Sequence, residues 1–283
     1  EGGSRQIMKI KVKMIGMDLD GTLLTTKKEL TPYTKEVLMR AAKQGIVVMP
    51  ATGRPLGGVP EELISLPYIH YAVTANGGRV VDVRNGRTMY ECLVSASTAG
   101  KILDVFEHYV SMREIYYDGV GYTQEDAVKE IGKYLESPPM IEYLLATRRL
   151  VPDIRAKFEE ENRSLDKVQG LFVTVEDRDA ARAELKAIPG IEITGALDRN
   201  IEVNAAGVNK GIAMVRLGET LGIAKEEIMA FGDGANDLKM IRSVGIGVAM
   251  SNGIEEVKEA ADYIALSNDE EGVARFIEEY VLI

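Results

Sequence analysis

Two carboxylates stand where an apolar run stops: Met14-Ile15-Gly16-Met17 is followed by Asp18-Leu19-Asp20-Gly21-Thr22. Alternate residues of an extended chain share a face, so Asp18 and Asp20 are expected to project together. A run this apolar predicts a strand buried in a parallel sheet, whose carboxyl end opens into a crevice. Two ionised carboxylates about 4 Å apart repel by roughly 4 kcal/mol at an effective dielectric of about 20. A cation is therefore expected beside them, and Gly21 lets the chain turn away tightly.

Three further segments carry the same kind of chemistry. Val47-Val48-Met49-Pro50-Ala51-Thr52-Gly53-Arg54 is a second apolar run, ending in a hydroxyl and a glycine. Val208-Asn209-Lys210-Gly211 sets one lysine at the start of an apolar-periodic helix. Ile228-Met229-Ala230-Phe231 runs into Gly232-Asp233-Gly234-Ala235-Asn236-Asp237, a third strand-like stretch closed by glycines and acids. Taken singly, each fits an ordinary turn, cap or surface lysine. In this order they resemble the four motifs of the haloacid dehalogenase superfamily. Thr74-Ala75-Asn76-Gly77-Gly78, Gly247-Val248-Ala249-Met250-Ser251-Asn252-Gly253 and Ala261-Asp262-Tyr263-Ile264 resemble the Cof-type branch, which carries a large C2-type cap.

The resemblance implies a phosphatase that uses Mg²⁺ and acts on a small phosphorylated metabolite, with sugar phosphates the expected class. It makes Asp18 the nucleophile that forms an aspartyl phosphate and Asp20 the acid, then the base. Asp18, Asp233 and the backbone carbonyl of Asp20 are the implied metal ligands. Thr52, Gly53, Lys210 and Asn236 are the implied phosphate- or substrate-binding residues, and Asp237 holds the metal's waters or Lys210. The acid role needs Asp20 protonated when substrate arrives, although a free aspartate has a pKa near 3.9, and acidic neighbours are expected to raise it. A phosphosugar mutase working through the same phosphoaspartate, and a silent phosphometabolite sensor, are the alternatives.

The elements that must position these residues read as strand, helix, strand, helix, strand over the first 84 residues. Thr31-Pro32 predicts a helix start, Val37, Leu38, Ala41 and Ala42 its apolar face, and Gly45 its end. The pattern returns after residue 195, with helices expected at 210–221 and 238–243 and strands at 228–231 and 246–249. Such alternation predicts a doubly wound, Rossmann-like parallel sheet. The core is thus expected at 1–84 and 195–283, interrupted by an α+β insert at 85–194 that the resemblance identifies with the cap. Asn85-Gly86 predicts a hairpin turn. Within the insert, helices are expected at 98–110, 125–135 and 179–187, and strands at Tyr116-Tyr117 and 170–175.

At 283 residues and 46% hydrophobic content, the chain can bury a large core. Its 34 basic and 44 acidic residues give a net charge of −10, which leaves no electrostatic footprint for nucleic acid or anionic membrane. An anionic substrate must be attracted locally. Cys92 is the only cysteine and is expected to be a small buried hydrophobe, so no intrachain disulfide is available. No apolar run reaches the ~20 residues of a membrane span, and a cytoplasmic enzyme is expected. Residues 1–7 read as an expression remnant before a natural start near Met8. Nothing here separates monomer from homodimer. His70 and His108 have no partners at metal-ligand spacing.

Overall fold

The computed structural model describes residues 8–195 and 197–283; the expected remnant at 1–7 lies outside them. Its first two strands, β1 (Met14–Met17) and β2 (Val47–Pro50), lie side by side and parallel. They are joined by the helix Pro32–Lys43, which begins as expected: the Thr31 side chain accepts from the Thr34 N–H and Pro32 takes the first turn. Gly45 leaves it at φ +82°.

The next strand departs from expectation. β3 (Tyr71–Thr74) does not continue the parallel sheet; it meets it at a single Ala51–Val73 bridge. It pairs instead with β4 (Arg79–Asp82), which pairs with β5 (Arg87–Glu91), in a three-stranded antiparallel sheet. The cause is Pro50. The N–H of Ala51 points to Met17 on β1, so position 50 faces the β3 side and has no donor to offer there. Asn85-Gly86 forms the predicted turn between β4 and β5, with Gly86 at φ +73°.

A second sheet follows: β6 (Ser111–Tyr117), β7 (Val120–Gln124), β8 (Arg148–Val151), β9 (Lys167–Phe172), β10 (Ile191–Thr194) and β11 (Asn200–Ala205), in the order β10-β11-β9-β6-β7-β8. All its pairings are antiparallel except β7 with β8. The helices Ala96–Glu107, Ile154–Glu161 and Val175–Leu185 cover one face, where Ile115, Tyr117, Val168, Phe172, Ile201 and Val203 pack with Phe106, Phe158 and Leu185. The period of two sends Glu114, Tyr116, Lys167, Gln169, Asn200 and Glu202 to the other face. They are buried all the same, because that face lies over the parallel sheet.

The chain then returns to the first sheet through β12 (Ile228–Gly232), β13 (Ile246–Met250) and β14 (Tyr263–Ala265), completing the parallel order β14-β13-β12-β1-β2. β1 is central and buried along its whole length. On one face Ile15 and Met17 pack with Val37, Leu38, Phe276 and Ile277. On the other, Met14 packs with Ala213, Met214, Leu217 and Met240. Helices thus cover both faces, the doubly wound arrangement the sequence predicts.

Sheet membership moves the insert. The β4–β5 hairpin packs Val80 and Met89 against Met214 of the core, while β10 and β11 belong to the second sheet. We place the insert between about Leu93 and about Ala206 instead of 85–194; the Asn85-Gly86 turn marks a core hairpin, not the crossing. The helix Pro138–Thr147 is an addition that the sequence pattern does not predict. Cys92 is half-buried, against the expectation of full burial. Among the described residues, no helix is long and apolar enough to cross a membrane.

Candidate active site

The carboxyl ends of β1, β2 and β12 bring the separate motifs together. The Asp18 N–H continues the ladder to Phe231 O (3.0 Å), so its side chain leaves the sheet edge beside Asp233. Gly21 turns the chain away at φ +77°, and a Cβ there would lie 2.2 Å from Asp233 Oδ2, so only glycine fits. Thr22 donates to Asp233 Oδ1 (2.7 Å). Lys210, whose side chain is wholly buried, bridges Asp18 (2.8 Å) and Asp237 (2.6 Å). Asp237 Oδ2 in turn accepts from the backbone N–H groups of Asp233 and Gly234, each at 2.9 Å.

Asp18, Asp20, Thr52, Gly53, Asp233 and Asn236 line one cavity of about 270 Å³. Lys210 and Asp237 lie behind its wall, both unexposed. Asn236 is held by Asn76 (3.2 Å). A larger apolar groove of about 810 Å³ runs beside the helix Pro32–Lys43 and touches none of these groups.

The electrostatics at this edge are unbalanced. Burial first, then repulsion from Asp237, raises the Asp18 carboxyl well above its ordinary value despite Lys210. Burial and Asp237 also push Asp233 up to about 7, against the opposing Thr22 hydrogen bond. Lys210 shifts upward: its burial opposes the charge, but Asp18 and Asp237 outweigh that. One lysine among three acids, Asp18 and Asp237 buried and Asp233 half-buried, leaves negative charge uncompensated.

Ligand atoms of Asp18, Asp233 and Asp237 lie within 4.8 Å of one another. Asp237 has both oxygens engaged, while Asp18 and Asp233 each keep one oxygen that no described residue donates to. Hard oxygen donors with excess negative charge suit Mg²⁺, which accepts few protein ligands. The residues present fit that ion.

Asp20 behaves differently from the expectation. Burial would raise its pKa, but Arg54 grips it with Nε (2.9 Å) and Nη2 (2.6 Å), and Lys28 adds a third contact at 2.6 Å. Together they hold it down at about 2. Asp20 is therefore ionised in this structure. Its neighbours are cationic because Lys28 folds back from eight residues on and Arg54 arrives from the end of β2, pairings that spacing does not reveal.

The second sheet supplies the roof. Lys167 donates to Gly53 O (2.8 Å) and to Glu202 (2.9 Å), and Glu202 also accepts from Asn76 (2.6 Å). The Tyr143 ring lies 3.9 Å from the Arg54 guanidinium carbon. From the sequence, Lys167 is one of several insert residues able to face a substrate and is not singled out among them; Tyr143 is missed. The helix that carries Tyr143 is opened by Ser137-Pro138-Pro139, a signal that the sequence does hold, since proline suits a first helical turn.

The family model of the haloacid dehalogenase-like hydrolases matches residues 15–277. The chain belongs to that family. Among haloacid dehalogenase-like relatives, it is 30% identical over 275 residues to the 5-amino-6-(5-phospho-D-ribitylamino)uracil phosphatase YcsE of Bacillus subtilis, covering 96% of this chain and 97% of that one. The putative phosphatase YxeH of the same organism is 29% identical, with 95% and 98% covered. A solved haloacid dehalogenase-like hydrolase from B. subtilis superposes with a TM-score of 0.85 at 26% identity, covering 95% of this chain and all of that one. The subclass IIB sugar phosphatase BT4131 superposes with a TM-score of 0.81 at 27% identity, covering 96% and 100%.

Proposed function

We propose that this haloacid dehalogenase-like hydrolase is a Mg²⁺-dependent phosphatase that hydrolyses small phosphate monoesters through an aspartyl phosphate on Asp18. The observation that carries the reading is the pairing of Asp18 with the buried Lys210 at the edge of a roofed cavity that also holds Asp20, Thr52 and Asp233. Relatives named as phosphatases, one of a sugar phosphate and one of a phosphoribitylaminouracil, support the same class.

In the proposed mechanism Asp18, Asp233 and the Asp20 carbonyl would hold Mg²⁺, and the ion when bound would offset the charge of the carboxylates and of the phosphoryl oxygens. Lys210 fixes the Asp18 carboxylate by its 2.8 Å contact and favours its ionised form. An Asp18 oxygen forms a bond to phosphorus as the bond to the leaving oxygen breaks, and Asp20 gives that oxygen its proton. Water then attacks phosphorus, Asp20 takes its proton, and the Asp18–phosphorus bond breaks. The Thr52 hydroxyl and Gly53 N–H donate to the phosphoryl oxygens, with Asn236 beside them. As it stands, Asp20 is in the form that accepts a proton. Giving one requires substrate entry to loosen its contacts with Arg54 and Lys28.

The test is free phosphate released from a panel of sugar phosphates and other metabolite monoesters, with Mg²⁺ and with chelator, for the parent and Asp18→Asn. Metal-dependent release that the variant lacks is expected. Isomer formation without phosphate release would make the protein a mutase, and binding without any turnover a sensor.

A further inference from the structure

A second cavity, of about 140 Å³, lies where the insert meets the core. Asn236 lines both this cavity and the active-site one and, with Asn76 to which it donates (3.2 Å), stands between them. β10 supplies the wall on the insert side. Ile191 and Ile193 pack on the insert's apolar core, so the period of two turns Glu192 and Thr194 toward the cavity. The Thr194 hydroxyl is buried and has no hydrogen-bond partner among the described residues. A buried hydroxyl without a partner is uncommon and points to a water or an ion at that place. Arg182, from the helix Val175–Leu185, is half-buried against the same cavity. Among the described residues its one polar contact is long, 3.5 Å from Nη2 to Ile193 O, and no carboxylate pairs with it.

The charge here is cationic by one. Arg182, Lys239 and Glu192 are the ionisable side chains that line the cavity, and Glu192 is taken by Lys239, from the helix Leu238–Ser243. Asn204 has nothing left to donate: its Nδ2 goes to Ala75 O (2.8 Å) and Asp166 O (3.1 Å), and its Oδ1 accepts from Asn76 (3.2 Å). Asn209 keeps a donor, because its Oδ1 accepts from the Ile212 N–H (2.8 Å) and its Nδ2 has no described partner. A guanidinium, a hydroxyl and an amide are thus left around one small space. Water would satisfy the hydroxyl but leave the guanidinium, half withdrawn from solvent, without a counter-charge, whereas a small oxyanion satisfies both. The volume is about half the 270 Å³ of the active-site cavity, which suits a free oxyanion and not an organic ester.

We propose that Arg182, Thr194 and Asn209 form a second binding site, for a free tetrahedral oxyanion such as inorganic phosphate, at the junction of insert and core. Arg182 and Thr194 come from the insert, and Asn209 from the core, where it caps the helix Lys210–Leu221. An anion held by all three ties the two units together. The site stands apart from the chemistry assigned to Asp18 and does not depend on it.

The experiment is calorimetry with inorganic phosphate in chelator, where the uncompensated acids around Asp18 disfavour an anion in the active-site cavity. The parent is expected to bind one phosphate. Affinity should fall about tenfold or more in Arg182→Gln, the size of a lost charged hydrogen bond, and by less in Thr194→Val. Phosphate should raise the melting temperature of the chelated parent and leave that of Arg182→Gln unmoved. Hexose monophosphate in place of phosphate should give neither signal. A crystal of the chelated parent soaked in tungstate, a tetrahedral oxyanion with a strong anomalous signal, locates the site without any substitution, and the peak is expected beside Arg182 and Thr194. None of these readouts needs turnover, so the outcome is separate from that of the phosphatase reading. A peak in the crystal without phosphate binding in solution would mean an adventitious ion only. Equal phosphate affinity in the parent and Arg182→Gln, tungstate seated elsewhere, or hexose monophosphate binding as tightly as phosphate would likewise overturn the site.

Discussion

Lys210 is the residue on which the catalytic edge depends, since among the described residues it is the only cation that contacts Asp18. Lys210→Met would strand Asp18 and Asp237 as buried carboxylates, and breaking a buried pair by removing one partner costs about 3–5 kcal/mol. Urea unfolding of the chelated protein should show a loss of that order, and adding Asp237→Asn should restore part of it. A Lys210→Met protein as stable as the parent would contradict this account of the charge balance. Asp18, Asp20, Thr52, Gly53, Lys210, Asp233, Asn236 and Asp237 lie together at one sheet edge, and the sequence singles them out through the order of four motifs that resembles the family's, since each segment alone fits an ordinary turn, cap or surface lysine. Legibility stops at the partners of Asp20. Spacing shows that two carboxylates share a face, but it does not show that Arg54 and Lys28 close on one of them from opposite sides.

At the scale of elements, strands buried on both faces are readable and strands with one polar face are not. β1, β12 and β13 are continuous apolar runs, whereas β11 alternates apolar with polar positions, β7 contains Gly121 and β8 opens on Arg148-Arg149. Arg148 of β8 and Asn200 and Glu202 of β11 line the cavity, so polar positions that hide these two strands belong to the site. The helix Pro138–Thr147 reaches the core through Tyr143 on Arg54. Tyr143→Leu removes that stack, a cation–π contact of roughly 0.5–2 kcal/mol. Steady-state kinetics should show KM rising by about twofold to thirtyfold with the larger effect on KM than on kcat. A loss confined to kcat would show that the helix serves the chemical step and not closure over the substrate.

For the whole molecule, a net charge of −10 and a cluster of buried acids set the response to pH and metal. In the metal-free protein Asp233 is pushed up to about 7 from an ordinary value of 3.8, and Asp18 is raised too. Between those values the folded state binds more protons than the unfolded chain, so stability falls as pH rises. The chelated protein should therefore melt at a higher temperature at about pH 5 than at about pH 8. Mg²⁺ should remove most of that difference by binding only the folded, ionised site. A chelated protein that gains stability between those pH values, or one that Mg²⁺ leaves unmoved at the higher pH, would contradict the assignment of the carboxylates.

The central claim is a phosphoryl group carried by Asp18. Asp20→Asn should accept a phosphoryl group from acetyl phosphate, whose leaving group needs little acid assistance, yet discharge it slowly because no base activates water. Mass analysis of the acid-quenched Asp20→Asn protein, after incubation with Mg²⁺ and acetyl phosphate, should place one phosphoryl group on Asp18. Phosphate release with Asp18 never modified, or modification of another residue in its place, would contradict it.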